Sequence, residues 1–143
     1  MFRSNIVTNY ITLTSEAEND IINITNDVER ILIESHLKNG ILTLFIVGST
    51  AAITTIEYEP GLKKDFPRLL ERIAPKEIEY EHDKTWHDGN GHAHVRASLI
   101  GPSLTIPFIN GQISLGTWQQ IVFVEMDTRG RERKIVVQLI GND

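Results

Sequence analysis

The chain has no cysteine. That excludes disulfides, thiolate metal sites and a cysteine nucleophile together. Long apolar runs are also missing: no window approaches the roughly 18 consecutive apolar residues of a membrane-crossing helix. Basic residues are few, with 14 Lys and Arg against 19 Asp and Glu and a formal net charge of -5. A broad electrostatic grip on nucleic acid needs the opposite balance. Neither a P-loop nor a G-x-G-x-x-G stretch is present. Internal repeats, low-complexity tracts and Pro/Ser linkers are absent too, so residues 1–143 read as one domain. The opening segment MFRSNIVTNYITLTSE is interrupted by Asn, Thr and Tyr and has no signal-peptide core. The expected compartment is the cytoplasm, with no membrane partner. What is present is 41% hydrophobic residues in 143, enough for the core of one domain. Five histidines are also present, four of them between His82 and His94.

Ile6 to Thr14 alternates and predicts a strand. Asn26-Asp27-Val28-Glu29 resembles a capping box, and Val28, Ile31, Leu32 and Ser35 follow at helical spacing. Asn39-Gly40 is the expected stop. Ile41 to Val47 predicts a buried strand, and Ala51 to Tyr58 a second strand-like piece. Pro60 opens a second helix with a stripe of Leu62, Phe66, Leu69, Leu70 and Ile73. Pro67 inside it raises the alternative of two short turns. Residues 81 to 92 read as loop. Ala93 to Ile100, Leu104 to Ile109, Gln112 to Leu115, Trp118 to Met126 and Lys134 to Ile140 read as antiparallel strands. Asn110-Gly111 predicts a type I′ hairpin turn. The fold class is α+β: a single compact domain of mainly antiparallel, sandwich-like sheets with two helices. Exposed strand edges in such a fold are often covered by oligomerisation.

The histidine segment carries the main chemical signal. At the start of a strand, His92 and His94 would share one face about 6.6 Å apart. Their rings could then converge on a metal or a phosphate oxygen. His82, His87 and Asp88 supply further ligands, which gives His82, His87, His92 and His94 as the metal candidates. The cofactor this pattern predicts is a divalent metal, Mg²⁺ or Zn²⁺. The alternative is a polar loop whose histidines cap backbone groups. Gly89 and Gly91 allow an anion-binding nest or an ordinary tight turn. Ser49 and Thr50 place hydroxyls at a strand end, as phosphate contacts or plain caps. With Gly91 and Arg96 they form the candidate cofactor-binding set. Glu57, in a largely uncharged stretch, is a candidate general base or a solvated strand residue. Glu57, His94 and Asn90 are the catalytic candidates. Glu125 and Asp127 pair either to hold Mg²⁺ or, the favoured reading, because the strand emerges into solvent. Arg129, Arg131, Arg133 and Lys134 read as a solvated basic turn. Trp118 reads as core or subunit interface.

Several segments together resemble one family. They are Ser49-Thr50-Ala51-Ala52-Ile53-Thr54, Asn90-Gly91-His92-Ala93-His94, Ser98-Leu99-Ile100-Gly101-Pro102-Ser103, Asn110-Gly111 and Leu115-Gly116-Thr117-Trp118-Gln119. The closing Glu125 to Gly141 hairpin joins them. They resemble the YjbQ family, whose members are described as secondary thiamine-phosphate synthase enzymes, over nearly the whole chain. The resemblance implies a compact α+β fold assembled as a homotrimer. It also implies an activity joining a pyrimidine diphosphate to a thiazole phosphate, with pyrophosphate leaving. Such a reaction needs cationic help on the diphosphate. His94 matches the family's Ala-His position, Asn90 its preceding Asn, His82 the His after the Tyr, and Glu57 the Glu after the Thr-rich strand. One departure is visible: many members carry a His before the Thr pair, where this chain reads Val47-Gly48-Ser49-Thr50. A third histidine beside His82 and His94 is thus missing, with His87 or His92 as replacements. Two functions are open. One is an enzyme acting on a small phosphorylated metabolite. The other is a non-catalytic homotrimer that binds a metal or such a metabolite.

Overall fold

The structure is a computed structural model and describes residues 5–143. Residues 1–4, the start of the segment read as free of a leader, lie outside it. In chain order the elements are β1 (Asn5–Thr14), β2 (Ile21–Asn23), α1 (Thr25–Ser35), β3 (Asn39–Ile46), β4 (Ala51–Glu57) and α2 (Pro60–Ile73). They continue with α3 (Glu81–Trp86), α4 (Gly91–Ile100), β5 (Ser103–Ile109), β6 (Gln112–Ile113), β7 (Gln119–Glu125) and β8 (Glu132–Asn142). Every strand pair is antiparallel. Five strands form one sheet in the order β1-β8-β3-β5-β6, and three form a second in the order β2-β7-β4. The fold is α+β, as its strand periodicity predicts.

The layers follow from which faces are apolar. The inner face of the five-stranded sheet contributes Ile11, Leu42, Leu44, Ile106, Ile135 and Val137, among others, to the main core. It packs there against α1 and against Ile53, Ile121 and Phe123 of the smaller sheet. The opposite face of that smaller sheet, with Ala52, Val122 and Val124, meets Leu70 of α2 and Ala93 and Ala97 of α4. Strand β7 is therefore covered on both faces, which is why Ile121-Val122-Phe123-Val124 reads as an unbroken apolar run. The strand β3 differs from its expected full burial. Leu42, Leu44 and Ile46 are buried, while Ile41 and Phe45 are exposed, because the outer face of its sheet is uncovered.

Helix α1 buries Val28, Ile31 and Leu32 as its spacing predicts. Its boundaries differ. Ile24 is the N-cap, Asn23 Oδ1 accepts from the Thr25 amide at 3.0 Å, and no capping box forms. The helix ends at His36, which adopts the left-handed conformation at φ 62°, so Asn39-Gly40 opens β3 instead. Helix α2 starts at Pro60, with the Glu59 carboxylate accepting from the Gly61 and Leu62 amides. It runs through Pro67 as one helix. Only Leu70 of its stripe is fully buried, and Leu69 and Ile73 remain half-exposed. Asn110 and Gly111 have φ of 52° and 76°, the pair of positive values that a type I′ turn requires.

Residues 81–100 depart most from the sequence reading. The expected loop contains α3, and the expected strand Ala93 to Ile100 is helix α4, so four helices are present among the described residues. The buried positions of α4 are Gly91, His92, Ala93, Arg96 and Ala97, which recur at helical spacing. No helix among the described residues is long and apolar enough to cross a membrane.

Candidate functional site

The N-terminus of α4 and the whole of α3 build a cluster around His82. On a helix, residues two apart diverge by about 200°. His92 and His94 therefore point away from each other, which overturns their expected convergence on one strand face. The two rings have different partners. His92 is 1% exposed, and its Nε2 donates to Glu18 Oε1 in the β1–β2 connection. His94 instead meets His82, with ring centroids 4.3 Å apart and planes tilted by 41°. Asn90 lies one turn before His94, and its carbonyl accepts from the His94 amide at 3.3 Å.

The His82 Nδ1 atom is buried and makes no hydrogen bond. Two carboxylate oxygens stand near it, Asp83 Oδ1 at 3.6 Å and Asp88 Oδ1 at 3.5 Å. All three atoms lie within 4.8 Å of one another. Two ligands each about 2.1 Å from a tetrahedral cation are separated by about 3.4 Å. The spacing thus fits a shared divalent metal. The donor set also fits, since a mixed imidazole and carboxylate set suits Zn²⁺ better than the all-oxygen shell that Mg²⁺ takes. Both carboxylates are oriented from behind: Asp83 Oδ1 accepts from the Gly91 amide at 2.9 Å, and Asp88 Oδ1 from the Asn90 amide at 3.1 Å. Burial, joined by the neighbouring His82, holds the His94 imidazole below its usual range, against the opposing pull of Asp88, Asp127 and Asp83. A neutral ring is the form that ligates.

Beneath the cluster lies a buried ion network. Asp127 Oδ2 accepts from Thr50 Oγ1 at 2.9 Å, Arg131 Nε at 2.6 Å and Asn90 Nδ2 at 3.3 Å. Burial pushes the Asp127 carboxyl up, but the Thr50 and Arg131 hydrogen bonds and the arginine charge bring it, net, below its usual range. Glu125 accepts from Arg133 and from Ser15 Oγ. Neither carboxylate emerges into solvent: Glu125 is 0% and Asp127 2% exposed. The favoured reading of that pair is corrected, and so is the solvated reading of Arg131 and Arg133. The signal was present as two arginines across one tight hairpin from two carboxylates, but their further partners, Ser15, Thr50 and Asn90, are remote in sequence.

The remaining candidates separate. Glu57 sits at the far end of β4, paired with Gln119, while Ala51, next to Thr50, pairs with Glu125. Six residues of strand put about 20 Å between these ends. Glu57 is thus not brought to His94 within the chain, and lies with Tyr58 and Trp118 in a separate groove. Trp118 is 73% exposed there, which rules out the core for it. His87 is the exposed C-cap of α3, outside the cluster. Arg96 is buried and already engaged: Nε donates to the Ala74 carbonyl at 3.0 Å and Nη2 to Glu71 Oε2 at 2.6 Å. Gly91 approaches the Tyr80 side chain, which an added Cβ would meet at 2.5 Å. Ser49 is exposed and lines a groove with Gly48, Ala97 and Ser98. Asp83, absent from the sequence-based ligands, belongs to the cluster.

Comparison with known proteins identifies the family. The profile described as UPF0047 protein YjbQ-like matches residues 9–142. The chain belongs to the YjbQ family. A UPF0047 protein of Methanothermobacter thermautotrophicus is 39% identical over 136 residues, covering 95% of this chain and 93% of that one. The UPF0047 protein YugU of Bacillus subtilis is 32% identical over 133 residues, covering 92% and 97%. A YbjQ-like protein from Sulfolobus solfataricus has a solved structure that superposes with a TM-score of 0.90 at 34% identity, covering 97% of this chain and 99% of that one. Within the YjbQ frame, Gly48 occupies the stretch where the resemblance implied a histidine. A Cβ at Gly48 would meet Arg133 Nη1 at 2.8 Å, so this end of β3 is given over to the arginine.

Proposed function

We propose that this YjbQ-family chain is a cytoplasmic, divalent-metal-dependent enzyme acting on phosphorylated small molecules, assembled as a homotrimer. The reaction class is that of a secondary thiamine-phosphate synthase: transfer of a pyrimidine-methyl group from its diphosphate to a thiazole phosphate. The observation that carries the reading is the orphaned, buried His82 Nδ1 facing two carboxylate oxygens beside the His94 ring. His82, Asp83 and Asp88 would hold the metal, with His94 and Asn90 beside it. The metal would supply the positive charge that a departing pyrophosphate needs. The buried arginines cannot supply it, because Arg96 and Arg133 are each paired to a carboxylate. His94, neutral and partly desolvated, would accept or return a proton at the reacting centre. Glu57 has no part in this reading, since it lies about 20 Å along the sheet. The exposed apolar rows on the outer face of the five-stranded sheet support the trimer.

A second reading is a non-catalytic homotrimer binding a metal or a phosphorylated metabolite. The separation of Glu57 from the histidines favours it. One experiment discriminates: tag-free, metal-loaded protein is incubated with the two thiamine precursors, and thiamine phosphate is measured. Product well above a His82→Ala/His94→Ala control supports the synthase. Product equal to the control removes it. Bound metal near one ion per chain, lost on Asp83→Asn/Asp88→Asn, would then leave the binding reading.

A further inference from the structure

Asn90 is buried, only 6% exposed as a residue, yet its side-chain Oδ1 is buried with no partner. Every other polar group of Asn90 is held. Its amide donates to Asp88 Oδ1, its carbonyl accepts from the Ala93 and His94 amides, and its Nδ2 donates to Asp127 Oδ2. A buried acceptor left unpaired while its neighbours are fully satisfied is costly in a folded chain. The cost is explained if a ligand takes up the lone pair.

We propose that Asp127 is a positioning residue that fixes the Asn90 amide so that Oδ1 serves as a neutral ligand to the divalent cation of the His82 cluster. An ionised carboxylate accepts and cannot donate. Opposite Asp127, the amide must therefore present its nitrogen, and the oxygen is turned to the other side. Asp127 is itself immobilised by Thr50 in the β3–β4 connection and by Arg131 on the β7–β8 turn. The orientation of the side chain that caps α4 is thereby set by two other parts of the fold, the β3–β4 connection and the β7–β8 turn. Asp88 links this device to the cluster, since its Oδ1 accepts from the Asn90 amide and lies 3.5 Å from His82 Nδ1. Groups that orient a ligand in this way are worth about 10–100-fold in metal affinity.

The inference rests on the metal reading above, and the experiment separates the two. Zinc titration by calorimetry is run on tag-free wild type, Asn90→Ala, Asp127→Asn and the double variant, with thermal melts for each. Asn90→Ala and Asp127→Asn should each weaken zinc binding about 10–100-fold. The double variant should bind no worse than the weaker single one, because Asp127 acts only through Asn90. Additive losses, or wild-type affinity in Asp127→Asn, overturn the positioning role alone. A wild type that takes up no zinc overturns the metal reading and this inference with it. A merely structural Asp127 would lower the melting temperature without this non-additivity. Should Asp127→Asn not fold, the wild type still decides. On zinc addition the side-chain carbonyl ¹³C resonance of Asn90 must shift while its NH₂ protons stay protected by Asp127. An unmoved carbonyl resonance overturns the proposal.

Discussion

His94 and Asp127 both bind protons less readily than free side chains do, and both therefore make the protein sensitive to acid. The sign follows from linkage. With the folded His94 held below the free value of 6.5, both states are neutral well above 6.5, and there is no penalty there. As pH falls below 6.5 the unfolded chain takes up the proton first, and folding stability declines. Asp127 adds a second loss in the same direction, beginning as pH falls through the free carboxyl value of 3.8. In chelator, urea midpoints should be flat from pH 8 to 7 and fall between pH 6.5 and 5. His94→Gln should flatten that upper step while leaving the lower one. An identical pH profile in the variant would contradict the assignment. The Glu125–Arg133 pair gives a separate prediction at this scale. Both groups are buried, so Glu125→Gln strands a guanidinium charge and should cost about 3–5 kcal/mol in denaturant unfolding. Glu125→Met/Arg133→Met should recover much of it, because it removes both charges. A double variant as unstable as the single would argue that the Ser15 and Thr50 hydrogen bonds carry the stability instead.

Helices α3 and α4 are held together through a glycine, and this contact sets the geometry of the cluster. A Cβ on Gly91 would stand 2.5 Å from the Tyr80 Cβ and 2.8 Å from its Cγ. Gly91→Ala should therefore cost about 1–3 kcal/mol by overpacking. It should also weaken zinc binding, since it displaces the amide that holds Asp83. Calorimetric melts and zinc titration check both. Unchanged values would mean that α3 yields freely and is not a fixed part of the site. The same helices show where sequence legibility ended. Strand β1 was readable because one apolar face leaves a period of two, β3 because its apolar run is β-branched, and Asn110-Gly111 announced its own turn. The buried face of α4 carries His92 and Arg96, which break the apolar pattern that marks a helix. Their compensating partners are remote: Glu18 lies 74 residues from His92, and Glu71 lies 25 residues from Arg96. Local spacing could not price those pairs, so Ala93 to Ile100 resembled a strand, and the histidines seemed to converge. The cluster itself was legible as a segment. Its geometry was not, because helical rotation turns His92 away from His82 and α3 sets Asp83 there beside Asp88.

The molecule as a whole leaves apolar surface uncovered on the face opposite its core. Register places Ile6, Ile140 and Ile41 side by side across β1, β8 and β3, and Tyr10, Val136 and Phe45 in a second such row. Between them runs a polar row in which Gln138 Nε2 donates to Thr8 Oγ1 at 3.1 Å and Thr43 meets Thr105 at 3.1 Å. Water would solvate that row, but the flanking isoleucines and aromatics gain by leaving water, at roughly 25 cal/mol for each Å² buried. With a net charge of only -5 spread over 143 residues, repulsion between copies is weak. The face thus has the character of an interface between subunits, and the proposed homotrimer would provide the copies to cover it. Light scattering should give three times the 16.2 kDa chain mass for wild type. Ile41→Lys/Phe45→Lys adds charge at two positions that are 43% and 46% exposed in the single chain, so its secondary structure should survive. That variant should scatter as a single chain, or as a trimer dissociating at least tenfold more readily. A wild type of 16.2 kDa would refute the assembly. A trimeric variant would instead move the interface elsewhere, for instance to the half-exposed Leu69 and Ile73 of α2.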